Sequence, residues 1–518
     1  MSDTRNKDRA PITGLPKLAT SEVVHDDITN LDADTLVVNL FSGVTAPGGA
    51  TGVVDQRLGG AITELIEGGD LSGKLGEVGV LYSGGKLNAR RVLVAGLGEH
   101  DKFDMEAARR ASANALVRAR ELGAKHVATI VHGAGIGGFP AADAAQATLE
   151  GALLASYSFG GWRQAAAGAK AVERITLAEV TEAKLSDVQA GASAARAVAR
   201  GVALARDLVN LPANVVNPDY LVATAHELAD RTDLKLFVGD RAWAEQEGMG
   251  AFLAIAKGTR NEPAFVQLTH NADRTDLPLI ALVGKGVTFD TGGLSLKSRD
   301  GMIPMKSDMA GAAAVLGTMQ AIAELDLPVR VLGVCACVEN MPDGAAYRPS
   351  DVLVAGSGHS IEVLSTDAEG RLALADALWY VQRFSPEAVI DIATLTGSSV
   401  VAIGAGVAAS LFANDAALRA RLETAAKATD ETVWHMPLFD DYRKTIESEV
   451  ADLKNTGGAQ GGVGTSAVFL EAFTDYPWAH VDMAGMAMVA SGKDRKYLTN
   501  GGTGYGVRLF VEFLRDWA

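Results

Sequence analysis

A chain of 518 residues exceeds what one ordinary hydrophobic core serves, so two domains are expected. With 48% hydrophobic and 21% charged residues it reads as globular rather than disordered, and a net charge of −16 argues against general attraction to nucleic acid or anionic membrane. Residues 1–10 are polar and lack an apolar segment, so no signal peptide is expected and the cytoplasm is the expected compartment.

From about 20 to 185, short apolar runs (35–40, 91–95, 126–131) alternate with alanine-rich helical stretches such as 106–122, which is α/β order. Residues 133–138, Gly-Ala-Gly-Ile-Gly-Gly, follow an expected strand and fit the G-x-G-x-x-G fingerprint of dinucleotide sites. Pro140 interrupts the start of the following helix, and no acidic residue closes a second strand at the required distance. A glycine-rich turn is therefore the expectation, with nucleotide or ADP-ribose binding as the alternative. Residues 188–208 have the propensity of a long helix, which Pro212 and Pro218 end. The expected organisation is an N-terminal α/β domain over 1–185, a connecting helix over 186–206 and a larger domain over 207–518.

In that larger domain, residues 278–283 form a continuous apolar run of the kind buried on both faces of a sheet. Lys285 and Asp290 are expected just past its end, among glycines that admit close backbone approach. A P-loop is excluded, because Gly286 follows Lys285 and the spaced upstream glycine is missing. Asp308 is expected at the cap of an alanine-rich helix beginning near 311. Cys335 and Cys337, the two cysteines of the chain, alternate onto one face of an apolar strand and read as reduced core thiols. Residues 392–413 carry no charge, yet their hydroxyl side chains, three glycines and nearby Asp391 and Asp415 fit a buried strand, loop and helix rather than a membrane span.

The densest chemistry lies in Ser365-Thr366-Asp367-Ala368-Glu369-Gly370-Arg371-Leu372, where two carboxylates and a guanidinium fall within five positions between an apolar run and a helix-forming run. Asp290, Asp308, Asp367 and Glu369 all fall at corners of one domain. Converging without cations, they would suffer strong repulsion and desolvation. Two divalent ions balance four negative charges. Lys285 can join them as a neutral amine, while Lys297 and Arg371 stay as cations outside the coordination shell. A hard, oxygen-rich donor set suits zinc, manganese, magnesium or cobalt. Charge counting alone gives a two-metal hydrolase, with phosphate and acyl substrates both open.

Residues 284–297, 305–312 and above all 366–372 resemble the leucyl (cytosol) aminopeptidase family of metallopeptidases. The likeness continues through 339–342, 347–349, 391–397 and 480–485, and covers essentially everything after 207. It implies a smaller, macro-like N-terminal α/β domain and a larger mixed-sheet α/β catalytic domain. It implies two divalent ions per subunit, Mn²⁺ or Zn²⁺. Lys285, Asp290, Asp308 and Glu369 then look like ligands of the tighter ion, and Asp290, Asp367 and Glu369 like those of the more exchangeable one. Lys297 resembles the lysine that polarises the scissile carbonyl, and Arg371 the arginine that holds a bicarbonate acting as general base. Met305, Thr394, Gly397 and Ala484 fall where the family lines its side-chain pocket. The implied reaction releases N-terminal residues, leucine and other mainly apolar ones, from peptides and amino-acid amides. The implied assembly is a homohexamer with no membrane association. An additional DNA-binding or regulatory role, known in some members, is the alternative, and the net charge disfavours it.

Two positions depart from the family. Ser365 stands where asparagine is usual, close to the substrate. Ala487 is smaller than the methionine often found there, which loosens the expected leucine preference. The glycine-rich residues 457–464 are expected to border the site.

Overall fold

The computed structural model describes residues 18–135, 137–160, 170–489, 497–498 and 501–518. They form two compact units. One runs to residue 203 and includes Tyr497 and Leu498; the other comprises 204–489 and 501–518. The boundary falls inside the helix Leu185–Asn210.

The N-terminal unit is built on six strands: β1 (Thr20–His25), β2 (Thr35–Phe41), β3 (Val78–Tyr82), β4 (Arg91–Gly98), β5 (His126–Ile130) and β6 (Arg174–Glu179). Their order is β1-β6-β5-β2-β4-β3, and every neighbouring pair is parallel except β3 with β4. The apolar runs of β2 and β4 are buried almost throughout, as parallel strands covered on both faces must be. Leu36, Val38, Val92 and Val94 form part of one core cluster with Val54 and Leu58 of the helix Gly49–Leu58. From β2 the chain proceeds toward β4, and from β5 toward β6. The two adjacent strands therefore send their connections in opposite directions.

The larger unit carries β7 (Lys235–Gly239), β8 (Ala264–His270), β9 (Leu279–Asp290), β10 (Arg330–Asn340), β11 (Val352–Val354), β12 (Ser360–Glu362), β13 (Ala388–Ala393), β14 (Ala409–Ala413), β15 (Val433–His435), β16 (Leu453–Lys454) and β17 (Trp478–Asp482). Eight of these form a sheet in the order β15-β14-β17-β13-β9-β10-β8-β7. Its centre, β17-β13-β9-β10, is parallel, while β14 pairs with β17, and β8 with β10 and β7, in antiparallel fashion. The sheet is thus mixed. A small sheet, β11-β12-β16, stands apart.

β9 is longer than its sequence indicates. It continues through Gly284-Lys285-Gly286 to Asp290, so Lys285 lies within the strand and Asp290 ends it. The glycines mark close packing rather than a strand end. A Cβ on Gly284 would lie 2.6 Å from the carbonyl oxygen of Gly311, and one on Gly286 would lie 2.7 Å from that of Ala336. The helices Ala310–Leu325 and Gly370–Val381 cover this sheet, and most of their residues are buried. Residues 392–413 resolve into the end of β13, the helix Gly397–Ile403 and β14. Among the described residues no helix is long and apolar enough to cross a membrane. Cys335 and Cys337 are free, buried thiols in β10, and burial pushes Cys337 up to about 12.

Candidate metal centre

The four central parallel strands end at one edge, and each end supplies a polar group: Asp290 from β9, Asn340 from β10, Asp482 from β17 and Thr394 just after β13. The connection from β9 goes to β10 on one side, whereas that from β13 leaves on the other. The crevice between such strands is where open α/β sheets collect ligands.

Lys285 reaches this edge from inside β9. Its Nζ donates to Asp308 Oδ1 at 2.8 Å and to the Thr394 carbonyl at 3.1 Å, and lies 2.9 Å from Glu369 Oε1. Lys297 Nζ sits between Asp290 Oδ2 at 2.8 Å and Asp367 Oδ1 at 2.5 Å. One carboxylate oxygen from each of Asp290, Asp367 and Glu369 falls within 4.8 Å of the others. Asp308 joins the group through Lys285. It does not cap the helix Ala310–Leu325, whose cap position is Met309. A short 3-10 segment, Ile303–Ser307, holds Asp308 one residue earlier, and its carboxylate accepts from Lys285 and from Thr394 Oγ1 at 2.8 Å instead.

Burial pushes Asp290 up to about 6, with Glu369 adding and the two lysines opposing. Burial likewise raises Asp308 and Asp367. Glu369 is also pushed up by burial, but Lys285 and Lys297 outweigh this and hold it below the usual range. For Lys285 and Lys297 burial favours the neutral amine, and the surrounding carboxylates overcome it, so both ammonium groups are stabilised. Two buried oxygens, Asp308 Oδ2 and Glu369 Oε2, have no hydrogen-bond partner among the described residues. Arg371 is buried; its Nη1 donates to the Asn455 carbonyl at 2.8 Å, its Nε has no partner among the described residues, and burial lowers it to about 10.

Several residues outside the expected ligand and catalytic set hold this arrangement. Asn340 Nδ2 donates to Asp290 Oδ1 at 2.8 Å and to the Thr366 carbonyl at 2.9 Å, where Tyr347 also donates. Asp482 accepts from Thr396 Oγ1, the Leu395 amide and the Ala484 amide, tying the loop after β13 to the one after β17. That tie fixes the loop bearing Thr394 and Gly397 against Ala484; Gly397 is exposed, and Met305 and Ala484 are half-buried. Ser365 Oγ accepts from the Asp367 amide at 3.2 Å, the short turn that an asparagine side chain makes equally well. Asn455 grips the same corner, which brings the start of the 457–464 loop against it.

The defining pattern of the "Cytosol aminopeptidase family, catalytic domain" matches residues 203–511, and that of the family's N-terminal domain matches 37–166. A probable cytosol aminopeptidase of Roseiflexus castenholzii is 45% identical over 466 residues, 89% of this chain and 94% of its own. One from Pseudomonas syringae pv. tomato is 40% identical over 472 residues, 91% of this chain and 94% of its own. Among solved structures, a mutant of tomato leucine aminopeptidase superposes with a TM-score of 0.85 at 30% identity, covering 100% of both chains. The bottromycin maturation enzyme BotP in complex with Mn gives 0.81 at 32% identity, covering 93% of this chain and 99% of its own. The family match defines a metal-dependent peptidase, and the acidic strand-end cluster is compatible with it. The chain belongs to the cytosol aminopeptidase family, and is accordingly a metallo-aminopeptidase, a hydrolase acting on peptides.

Proposed function

We propose that the chain releases apolar N-terminal residues, leucine foremost, from peptides and amino-acid amides, with two divalent ions per subunit. The observation that carries this reading is the pair of buried, unpartnered oxygens Asp308 Oδ2 and Glu369 Oε2 beside three mutually close carboxylates. Buried carboxylate oxygens without partners are costly, and a hard divalent cation satisfies them. Asp290, Asp308 and Glu369 would hold one ion, with Lys285 joining them only as the neutral amine left when the ion displaces its proton, and Asp290, Asp367 and Glu369 would hold the other. The manganese complex of BotP favours Mn²⁺, with Zn²⁺ the alternative.

When bound, the ions supply Lewis acidity and a nucleophile available at neutral pH. The chain's own groups do the rest. Four carboxylates against two lysines favour the amino end of a peptide over its carboxylate end. Lys297, kept protonated by Asp290 and Glu369 against its burial, stabilises negative charge developing on the scissile carbonyl oxygen. Arg371, whose Nε has no partner among the described residues, suits a small planar anion; bicarbonate there would act as the base. Met305, Thr394, Gly397 and Ala484 line the pocket for the first side chain, and small Ala487 leaves room for bulkier ones. The same reading makes the protein a cytoplasmic homohexamer.

The test combines metal analysis with leucinamide hydrolysis. Two ions per chain are expected, with activity lost on chelation and restored by Mn²⁺ or Zn²⁺. Wild-type turnover by Glu369→Ala, or by metal-free protein, would overturn the proposal.

A further inference from the structure

We infer that Asn210 is a positioning residue for substrate selectivity: it ties together the two segments that carry the walls of the pocket for the first side chain. The inference rests on the proposed pocket, in which Met305 stands on one segment and Ala484 with Ala487 on the other.

Asn210 is the last residue of the helix Leu185–Asn210 and is 7% exposed. The carbonyl groups of a helix's last turn have no partner within the helix, and a lysine side chain suits them. Lys306 Nζ donates to the Asn210 carbonyl at 2.6 Å. Lys306 directly follows Met305 in the 3-10 segment Ile303–Ser307, so its side chain tethers that segment to the helix end. Asp308, two residues further on, is held independently by Lys285 and Thr394.

The side chain of Asn210 holds the other segment. Beyond Ala487 the chain forms β18 (Met488–Val489), which pairs antiparallel with β19 (Gly501–Gly502). Asn210 Oδ1 accepts from the Gly502 amide at 2.8 Å, and Arg206 Nε, one turn earlier, donates to the Gly502 carbonyl at 3.0 Å. Thr503 then donates through Oγ1 to the Met486 carbonyl at 2.7 Å and through its amide to the Ala487 carbonyl at 3.1 Å. Asn210 is thereby linked to Ala487 through Gly502 and Thr503.

Gly501 and Gly502 show how close this docking is. A Cβ on Gly501 would lie 2.1 Å from Asn210 Oδ1, and one on Gly502 would lie 2.9 Å from Val209 Cβ. Backbone lies directly against the helix end, with no room for a side chain between them. One buried residue thus receives Lys306 on its carbonyl and the β18–β19 pair on its side chain. The carboxylate cluster has separate supports in Asn340 and Asn455, so loosening Asn210 should widen the pocket without unseating the ions. A methylene more or less in an apolar pocket changes kcat/KM roughly 10–200-fold, and only while the walls stay in contact with it.

The test compares leucinamide with alaninamide on the metal-loaded full chain. Asn210→Ala releases the β18–β19 side, and Lys306→Met releases the other. Each should lower kcat/KM for leucinamide roughly tenfold, mainly through KM, because contact with the isobutyl group is lost. Alaninamide, whose methyl group makes few wall contacts, should keep near wild-type kinetics, and bound metal should be unchanged. If Asn210→Ala does not fold, Lys306→Met decides. An equal loss on both amides in a folded variant would make the ties plain structural supports and overturn the inference. Unchanged kinetics with both amides in both variants would overturn it as well. A wild-type chain that does not distinguish the two amides would strike the proposed pocket itself, and the inference with it.

Discussion

The side chain of Asn455 clasps Ser365 on both sides of its peptide unit. Oδ1 accepts from the Ser365 amide at 3.3 Å and from that of Leu364 at 2.8 Å, while Nδ2 donates to the Ser365 carbonyl at 2.6 Å. The Asn455 carbonyl then accepts from Arg371. One fully buried neutral residue therefore orients the corner that carries Asp367 and Glu369. Asn455→Ala should cost about 1–3 kcal/mol in denaturant unfolding, because it leaves buried backbone groups unsatisfied. It should also lower kcat for leucinamide more than it raises KM. An unchanged kcat in a folded variant would show that the corner holds itself.

Ser365, at the position where the resemblance leads one to expect asparagine, supplies an acceptor for the Asp367 amide. Ser365→Asn should leave kcat/KM within a few fold of wild type. Ser365→Ala, which removes the acceptor for the Asp367 amide, should destabilise by about 1 kcal/mol. Melting curves and leucinamide kinetics on both variants check this pair, and equal behaviour would refute it.

Lys297 is the ammonium between Asp290 and Asp367. Lys297→Met should reduce kcat by roughly 10²–10³, the usual effect of removing one donor to a developing oxyanion. Metal content should be retained. A variant that loses its metal instead would assign Lys297 to holding the cluster together.

Gly284 lies where β9 meets the helix Ala310–Leu325. Gly284→Ala places a methyl 2.6 Å from the Gly311 carbonyl oxygen and 2.7 Å from Ala312 Cα. Overpacking of this kind should cost about 1–3 kcal/mol and displace the neighbouring Lys285. The measurements are urea unfolding and metal affinity; a change in stability alone would uncouple the strand from the cluster.

His132 predicts the acid response of the N-terminal unit. Burial lowers it from 6.5 to about 4, and it is fully enclosed beside Asn39 and Thr148. The unfolded chain thus binds a proton that the folded chain refuses between those two values. Stability from this residue is complete above pH 6.5 and falls as the pH drops toward 4, by about 3 kcal/mol in total. His132→Gln should flatten that part of the profile, as followed by circular dichroism melts from pH 4 to 7.

How much of this was legible in the chain depended on what each residue had beside it. Asp367, Glu369 and Arg371 crowd one short corner, and Lys285, Asp290 and Lys297 sit among glycines, so charge density betrayed them. Asn340 and Asp482 lie in runs that resemble the family but carried no assigned role, and Asn455 lies in none, since each is a single polar residue with partners in remote segments; for Asn455 and Ser365 the gap is 90 positions. The end of β9 was misplaced because Gly284 and Gly286 look like strand breakers. They are instead places where neighbouring backbone comes too near for a side chain. Asp308 looked like a helix cap because its sequence setting fits one; the lysine that claims its carboxylate is 23 residues earlier. The central strands β2, β4, β5, β9 and β10, by contrast, were readable, because strands covered on both faces must be apolar over most of their length, whereas the half-exposed edge strands β1 and β7 were not.

The chain's two cysteines, Cys335 and Cys337, lie at 1% and 0% exposure in β10, beside the strand that carries Lys285 and Asp290. A thiol-selective reagent can therefore reach sulfur only when this part of the sheet opens. The labelling rate under native conditions becomes a clock for that opening, and slower labelling on adding Mn²⁺ would report directly how far the ion braces the strand that binds it.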